Sequence, residues 1–520
     1  MYRKKSFIKT ALSLAVCFAM LQKAEAQFSL NGQLRTRTEL RNGYGTLNKD
    51  TSAAFFTSQR TRLTFGYKWD RVNFNLSVQD VRVWGQDASS INNADGNRLM
   101  VHEAWAEVTL MNINDTTIKT KGIDNLSLKI GRQALIYDDV RLLGDLDWLQ
   151  QARRHDAILL KGMHHGWQFD LGAGFNQNND NVGNVGTGYL AGNVPAYVTN
   201  SVGTLVATPT GLVPLSTGGT TVGKSSTLGT PVLMNNVSTN GMNQEYKAFQ
   251  MLYVSHKFGQ TKFSGLFFKD DFGKFRLDSV STGGGYVYGR RYDVKGVNSR
   301  ITFGGMLNGT IGNASSGLKK NWQVAAYFQT GKDKDGKDLK AQHYSAFVML
   351  QTGKFTFGPG IEYLSGNEPT TASTENHKFD PLYGTPHKHW GYMDYFYVAT
   401  GSPVGGLLNP YFKTKFTTKD FFISLDIHNF QLAKPVLNTL DPNKPELDKN
   451  MGFEFDFIAN YTLNKFTTLE AGYSFMKATN TLEFVKRGTL NSYEHTPNWA
   501  YLMINIKPDF FFTKPVAIKQ

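Results

Sequence analysis

The amino-acid sequence predicts an all-β protein, a single transmembrane antiparallel β-barrel of about 18 strands with long extracellular loops. Three features of the 520-residue chain lead to this expectation: runs of alternating apolar and polar residues, an aromatic content of 13%, and a mean hydropathy of −0.35. In such a barrel every other strand residue faces lipid, the residues between them face water, and aromatic side chains ring both membrane interfaces. This arrangement accounts for an aromatic-rich chain that is polar on average.

The alternation is clearest in the first predicted strand, FSLNGQLRTRTELR. One face carries Phe28, Leu30 and Leu34, and the opposite face carries Arg35 and Arg37. The runs are about ten residues long, which suits a tilted crossing of a bilayer, whereas strands of soluble β-sandwiches usually have about five or six residues. The predicted strands cover residues 28–41, 56–69, 72–84, 100–110, 125–136, 153–163, 167–176, 246–258, 260–271, 297–308, 321–330, 340–351, 354–364, 410–417, 420–431, 451–462, 465–476 and 498–508.

Residues 1–26 have the pattern of a secretory signal peptide. Basic residues precede an apolar run that is too short to span a bilayer, and the sequence AEA at 24–26 forms an A-x-A cleavage site. We expect cleavage after Ala26, so that residues 27–520 form the barrel in an outer membrane of the Gram-negative type, in contact with its lipids.

The mature chain is expected to be basic and free of cysteine. The signal peptide carries a net charge of +4, which leaves about +10 of the formal +14 to residues 27–520. Cys17 is the only cysteine and lies in the signal peptide, so disulfides, thiolate catalysis and cysteine metal sites are excluded for the mature chain. A basic exported protein is expected to meet anionic partners, and no nucleic acid is expected outside the cytoplasm.

Short turns and long links alternate along the chain, as in outer-membrane barrels. The longest link, residues 177–245, is poor in charge and rich in Gly, Thr, Val, Ser and Asn. We interpret it as a long surface loop or flexible cover, not as a second folded domain, and expect large deletions within 181–244 to leave the barrel intact. Tight periplasmic turns are predicted at Trp69–Val72, His164–Gly166, Gly353 and Asn464.

Alternation also places charged residues on the wet faces of the first strands. Rings of Arg or Lys in a pore select anions, and the guanidinium of arginine matches the geometry of a carboxylate. The alternative is that these charges form only internal salt-bridge ladders that set the strand register. The basic residues at strand positions predicted to face the lumen are Arg35, Arg37, Arg60, Arg62 and Lys68, and the acidic residues at such positions are Glu39, Glu103 and Glu107.

Residues 131–161 mix arginines and aspartates with leucines and have no steady helical period. We expect a strand end, an outer loop and the next strand, with charges facing the lumen or rim and leucines facing lipid or packing the loop. Arg132 lies on the same strand face as Leu128 and Ile130, which predicts an outward direction, and a bulge at Gly131 would turn it toward the lumen. The candidate pore-lining residues of this stretch are Arg132, Asp139, Arg141, Arg153 and Arg154.

The stretch GRQALIYDDVRLLGDLDW, followed by ARRHDAILL, resembles the pattern G-R-Q-x-L-x-Y-G-D-x-R-L-x-G-x-x-D-W…R-x-x-D of the alginate export family of outer-membrane barrels. Asp138 here replaces the glycine of that pattern, and eight residues follow Phe512, so the chain does not end on an aromatic residue. The resemblance implies an eighteen-stranded porin with an arginine-lined channel for an anionic uronate polymer. Further similar stretches are VHEAWAEV at 101–108, GIEYLSG at 360–366, FDPLYGTPHKHWGYMDYFYV at 379–398 and DIHNFQLA at 426–433.

Residues and resemblance together predict a monomeric outer-membrane porin for the passive diffusion of anionic saccharides or smaller anionic solutes. The direction of transport is not encoded, because a passive pore follows the gradient. One alternative is a general anion-preferring porin without polymer specificity. Another, from a different class, is an outer-membrane barrel hydrolase, but no G-x-S-x-G nucleophile elbow occurs and no enzyme is expected.

No cofactor or metal is expected either. The sequence DKDGKD at 333–338 has the acids of a calcium loop but lacks the downstream glutamate, so it is predicted to be a hairpin turn. The histidine pairs His164-His165 and His387/His389 lack a carboxylate at metal-site spacing.

Overall fold

The structure is a computed structural model. The predicted signal peptide, residues 1–26, lies outside the described residues. The described residues are 27–48, 52–85, 99–115, 122–177, 194–216, 230–232, 246–312, 317–369, 374–397, 403–494 and 496–512.

The alternating sequences form long antiparallel strands. In chain order the described strands are β1 (Gln27–Asn42), β2 (Ala54–Trp69), β3 (Val72–Val83), β4 (Met100–Asn112), β5 (Asn125–Gln133), β6 (His155–His164), β7 (Trp167–Phe175), β8 (Tyr197–Thr199), β9 (Leu205–Ala207), β10 (Leu212–Ser216), β11 (Thr230–Pro231), β12 (Ala248–Phe258), β13 (Thr261–Gly273), β14 (Arg276–Thr282), β15 (Gly285–Arg291), β16 (Val297–Ile311), β17 (Lys319–Lys332), β18 (Asp338–Thr352), β19 (Phe355–Leu364), β20 (Glu375–Asn376), β21 (Leu407–Thr417), β22 (Phe421–Gln431), β23 (Asn450–Asn464), β24 (Thr467–Ala478), β25 (Asn498–Ile506) and β26 (Asp509–Phe512).

Eighteen of these strands close into one barrel: β1–β7, β12, β13, β16–β19 and β21–β25. Each pairs antiparallel with the next barrel strand along the chain, and β1 closes the sheet by pairing with β25. Because closure leaves no unpaired strand edge, the backbone hydrogen bonds are satisfied within the sheet, as a bilayer requires. All eighteen predicted strands correspond to barrel strands, so the predicted fold class and strand number are confirmed.

The outward faces of the strands are apolar. On β7, Phe169 and Leu171 are exposed, whereas Asp170 between them is buried inside the barrel. On β12 the same alternation exposes Leu252 and buries Phe249. The period of two in the sequence thus decides which side chains meet lipid.

The two rims of the barrel differ in the length of their connections. One rim has tight turns such as Asp70–Arg71, between β2 and β3, and His165–Gly166, between β6 and β7. Gly166 has a φ of +79°, a backbone conformation that favours glycine. The other rim carries the long links, which are extracellular in outer-membrane barrels. We call the two ends the short-turn rim and the long-loop rim.

Part of the predicted long loop forms regular structure at the long-loop rim. Strand β10 pairs with β11 and also with β15 of the β14–β15 hairpin. Leu212, Leu215 and Val287 are buried there in a small apolar cluster separate from the main one. The long link at 177–245 therefore contributes strands to a small sheet, which its low-charge composition did not predict.

The main cluster of buried apolar side chains lies inside the barrel. Two links fold inward from the long-loop rim, residues 134–154 (the first inner segment) and residues 377–397 (the second inner segment). The ring of Trp148 lies 5.7 Å from that of Trp499 on β25, and the ring of Tyr383 lies 5.8 Å from that of Phe268 on β13. A barrel of this size encloses a lumen wide enough for water, and here apolar side chains fill part of it.

An α-helix, α1 (Asn480–Arg487), lies between β24 and β25 at the long-loop rim. Thr479 caps its start by accepting a hydrogen bond from the backbone N–H of Leu482. Arg487 donates to the carbonyl of Leu47 at 2.6 Å, which ties the helix to the chain that leaves β1. Within the described residues, no helix has the length and apolar character needed to cross a bilayer.

We predict that deleting residues 194–232 leaves the barrel inserted but loosens the β14–β15 hairpin. Val287 would lose the apolar side chains that bury it, while the barrel sheet would keep all its strand pairs. Limited proteolysis should then cut within 276–291 faster, with unchanged gel mobility of the unheated barrel. Deleting residues 438–444, in a different outer link, should leave that cleavage rate unchanged. A 194–232 deletion that fails to insert would contradict the prediction.

Candidate functional site

The candidate site begins where two inward-facing arginines lie opposite each other. Arg35 of β1 and Arg60 of β2 are cross-strand neighbours, and both are buried inside the barrel. Arg62 follows two residues after Arg60, on the same face of β2. Like charges that face each other directly destabilise a sheet unless a counter-charge offsets them. The first inner segment supplies that counter-charge.

Asp147 of the first inner segment pairs with all three arginines. Its carboxylate lies 2.8 Å from Arg60, 3.2 Å from Arg35 and 3.6 Å from Arg62. Burial alone would raise the pKa of Asp147, but the arginines, Arg60 foremost, outweigh burial and hold this pKa below its ordinary value. The side chain of Asp147 is 41% exposed, so the carboxylate faces open space in the lumen with the arginines behind it.

The arginines also hold the backbone of the first inner segment. Arg35 donates from Nη2 to the carbonyl oxygens of Trp148 and Leu149, each at 3.2 Å. Arg60 donates to the carbonyl of Gln150 at 3.3 Å, and Arg35 Nε donates to the Gln150 side chain at 3.0 Å. The buried guanidinium groups therefore satisfy carbonyl oxygens of a segment that lacks regular secondary structure.

An ion-pair chain continues along β1. Glu39 accepts hydrogen bonds from Arg37 and Arg41, each at 2.8 Å, and from Nε1 of Trp499 at 3.0 Å. The guanidinium carbon of Arg37 lies 4.2 Å from the ring centre of Trp148. Glu39 thus holds Arg37 in place against the first inner segment.

A second ion-pair cluster holds the same segment against β17 and β19. Arg141 is buried, pairs with Asp139 at 3.0 Å and also pairs with Glu362 of β19. Asp139 accepts a further hydrogen bond from Gln323 of β17 at 2.8 Å. Burial lowers the pKa of Arg141, but Asp139 and Glu362 outweigh it and raise this pKa above its ordinary value. Arg141 is therefore held as a cation inside the barrel.

Two further arginines lie at the end of the first inner segment. Arg153 donates to the carbonyl of Gly384 at 2.7 Å, which joins it to the second inner segment. Arg154 donates to the carbonyl of Gln151 at 3.2 Å and contacts the sulfur of Met100 at the same distance. Both arginines are buried.

The two inner segments are hydrogen-bonded to each other. Leu143 and Tyr383 form a parallel bridge, and the backbone N–H of Tyr383 donates to the carbonyl of Leu142 at 2.9 Å. The N–H of Thr385 donates to the carbonyl of Val140 at 2.8 Å. Two stretches that are far apart in the sequence therefore meet inside the lumen.

A stacked pair of rings extends this contact. The rings of Trp148 and His387 lie 4.3 Å apart with an interplanar angle of 10°. His387 Nδ1 lies 2.8 Å from the carboxylate of Asp394, which also accepts a hydrogen bond from Tyr44. Tyr44 follows β1, so this network joins both inner segments to the barrel wall.

Three other predicted pore-lining residues lie closer to the short-turn rim than the cluster around Asp147 does. Glu103 and Glu107 occupy inward-facing positions of β4. Glu107 accepts a hydrogen bond from Ser127 at 2.6 Å and pairs with Lys161 at 3.4 Å. Lys68 is exposed near the end of β2.

Arg132 does not face the lumen. The register of β4, β5 and β6 continues without a shift at Gly131, so Arg132 keeps the parity of Ile130. Ile130 is exposed on the outer face, and Arg132 pairs there with Asp156 at 2.9 Å. Its inclusion among the pore-lining candidates is therefore corrected: parity predicted its direction, and no bulge re-aims it.

Sequence reasoning did not select Asp147, Glu362 or Asp270 as site residues. Asp147 lies in a link, where the alternation of strand faces does not apply, and the signals that could have found it were the density of nearby charge and its place in the D-W of the family pattern. Glu362 of β19 and Asp270 of β13 occupy lumen-facing positions in the alternation of their strands, and that signal could have identified them. Asp270 lies directly opposite Arg300 of β16, a pairing that depends on strand register.

Among the described residues, no group of three or more His, Cys, Asp or Glu side chains is arranged to hold a metal ion. The sequence DKDGKD forms the hairpin turn between β17 and β18, where Asp333 accepts the backbone N–H groups of Asp335 and Lys337, each at 2.9 Å.

We predict that Glu362→Gln loosens the first inner segment without unfolding the barrel. Arg141 would stay buried with one carboxylate partner fewer, and breaking a buried ion pair costs about 3–5 kcal/mol. Single-channel recordings should show a larger and noisier current, and trypsin should cut the first inner segment of the inserted protein faster. Glu446→Gln removes an exposed carboxylate of an outer link and should change neither property. Wild-type current and cleavage in Glu362→Gln would contradict the prediction.

Comparison with known proteins agrees with the barrel fold. A family model described as Alginate export matches residues 25–174, which include the first inner segment and Asp147. No curated protein sequence matches the chain. Similar solved structures include the outer membrane protein opdK of Pseudomonas aeruginosa, with TM-score 0.53, 9% identity, and coverage of 93% of this chain and 99% of that chain.

Two further structures have the same architecture. OccK9 (OpdG) of Pseudomonas aeruginosa has TM-score 0.51 and 10% identity, covering 93% of this chain and 98% of its own. OccAB4 of Acinetobacter baumannii has TM-score 0.53 and 11% identity, covering 94% of this chain and 99% of its own. At these identities the likeness concerns the fold. The chain therefore shares the barrel fold of these proteins, and its residues 25–174 match the family model described as Alginate export, as the motif around Arg132–Trp148 predicted.

Proposed function

We propose that this protein is an outer-membrane channel through which anionic saccharides of the uronate class, or smaller anionic solutes, diffuse passively. The observation that supports this most directly is the convergence of Arg35, Arg60 and Arg62 on the single exposed carboxylate of Asp147. The match of residues 25–174 to the alginate export family supports the uronate class.

The chemistry of the arginines suits carboxylate recognition. A guanidinium offers a planar set of donors that fits a carboxylate, and it keeps its charge at every physiological pH. Three arginines with one acid leave an excess of positive charge at this level of the lumen. In a confined channel such an excess attracts anions and repels cations.

Asp147 occupies the position that a permeating carboxylate would take. Its carboxylate binds the arginines from a link, not from a barrel strand, so it can be displaced without breaking strand pairs. Conduction requires binding that is favourable enough for entry and weak enough for release. Competition from Asp147 weakens the binding of a solute carboxylate at the arginines and so favours release.

Charges closer to the short-turn rim extend the route. Glu107 and Lys161 form a partly exposed ion pair, and Lys68 is exposed farther along β2. Mixed charges of this kind offer weak sites for a solute that carries both a carboxylate and hydroxyl groups. We propose a monomer in contact with outer-membrane lipids, without enzymatic activity, whose transport direction follows the gradient.

The second candidate is a general anion-preferring porin without polymer specificity. The pairing of most lumen charges with each other favours it, because paired charges attract any small anion weakly. Planar bilayer recording with tetramannuronate discriminates the two. A uronate channel should show reversible block of the chloride current, whereas a general porin should show anion selectivity and no block.

We predict that Asp147→Asn increases anion selectivity. The arginines would lose their carboxylate partner, and the lumen would gain one net positive charge at that level. The reversal potential in a salt gradient should shift toward chloride at low salt, and the shift should shrink at 1 M salt, where the screening length falls to about 3 Å. Glu446→Gln, with the same charge change outside the lumen, should leave the reversal potential unchanged. A reversal potential that does not move in Asp147→Asn would contradict the prediction.

We predict that replacing Arg35, Arg37, Arg60 and Arg62 together with Gln leaves insertion intact and moves selectivity toward cations. These side chains face inward, so the lipid face and the strand pairing stay unchanged. Block by tetramannuronate should also weaken at least tenfold. If the quadruple variant inserts with wild-type selectivity at low salt, these arginines serve only as structural ion pairs and the proposed function fails.

A further inference from the structure

A cavity lies on the long-loop side of the second inner segment, apart from the Asp147 cluster. It has a volume of about 120 Å³ and is lined by residues of β13, β16, β17, β18 and β20, of the turn 333–337 and of the second inner segment. A water molecule takes up about 30 Å³ in the liquid, so the cavity admits a ligand larger than water. Phe272 and Tyr383 give it aromatic walls, and Gln329 and Asn376 contribute amide groups.

Most charged groups of the wall are already paired. Arg300 binds Asp270 and Asp380, each at 2.5 Å. Asp335 pairs with Arg290 at 2.8 Å. A ligand that carries a positive charge would therefore find few carboxylates without a donor.

Asp333 likewise has its donors. Its Oδ1 accepts two backbone N–H groups of the turn, and its Oδ2 accepts from Asn376 at 2.9 Å. Because these carboxylates already accept hydrogen bonds or ion pairs, they are not available as acceptors for a further donor in the cavity wall.

Lys378 carries such a donor. Its backbone N–H donates to Asn376, but within the described part of the chain its Nζ has no hydrogen bond and no ion pair. The side chain is half-buried and lines the cavity. Burial lowers the pKa of the Lys378 ammonium, and nearby Asp380 offsets this only in part. An ammonium without a partner in this position is stabilised when an anion enters.

We infer that this cavity binds one uronate residue of an anionic saccharide, with the carboxylate on Lys378 Nζ and the sugar hydroxyls on the polar wall. Saccharides combine hydroxyl groups with an apolar ring face, which the amide groups and Phe272 can meet. The class of saccharide rests on the proposed function. The site would capture a chain end at the long-loop rim, before the carboxylates reach the arginines beside Asp147.

The inference is tested by protection of Lys378 from acetylation. The full-length protein, refolded in detergent, is treated with an amine-reactive acetyl ester, and the acetylation rate of each lysine is measured by mass spectrometry. Saturating tetramannuronate should slow acetylation of Lys378 at least fivefold, while neutral mannotetraose should not. Lys337 lies in the adjacent turn, is exposed and does not line the cavity, so its rate should stay constant. An unchanged Lys378 rate, equal protection by mannotetraose, or equal protection by sodium sulfate would each overturn the uronate site.

A second measurement separates this site from the arginine cluster. Lys378→Gln should raise the concentration of tetramannuronate needed for half-block about fivefold when it is added at the long-loop side. Lys337→Gln should keep the wild-type value. The quadruple arginine variant should retain protection of Lys378. If the quadruple arginine variant has wild-type anion selectivity while Lys378 is still protected, the proposed function alone is rejected. If Lys378→Gln needs the wild-type concentration of tetramannuronate for half-block, the cavity site alone is rejected.

Discussion

The ion-pair cluster between Asp147 and the arginines of β1 and β2 is the interaction on which the arrangement of the lumen depends. Arg35 and Arg60 face each other across neighbouring strands, so their mutual repulsion has to be offset from outside the sheet. Asp147 offsets it and thereby draws the first inner segment into the barrel. The position of Trp148 against Arg37 and His387 follows from that anchoring.

A closed barrel of eighteen strands has an interior that strand side chains cannot fill alone. The two inner segments fill part of it with leucines and aromatic residues and bring backbone groups that need partners. Inward-facing arginines and acids supply those partners, as Arg35 and Arg60 do for the carbonyl oxygens of residues 148–150. The same charges therefore hold the segments and set the electrostatic character of the lumen.

Two levels of the lumen differ in how their charges are satisfied. Beside Asp147, cations outnumber acids and the carboxylate is open to the lumen. Near the long-loop rim, Arg300 and Asp333 are satisfied by the chain itself, whereas the Nζ of Lys378 has no hydrogen bond or ion pair within the described part of the chain. Under the proposed function, an anionic group that enters from that rim would pass the Lys378 ammonium before it reaches the arginine cluster.

The sequence by itself determined the barrel, its strand number and the inward direction of Arg35 and Arg60, because the alternation of strand faces is a local property of the sequence. For Arg132 the alternation indicated an outward direction but left a bulge at Gly131 open, and the register of β4, β5 and β6 decided it. It did not determine where the leucines of residues 134–154 go or which carboxylates meet which arginines. Leu143 and Asp147 lie in a link without fixed period, and Glu362 meets Arg141 only because the barrel closes and the link folds inward. Those contacts join residues that are far apart in the chain, so only the tertiary structure decided them.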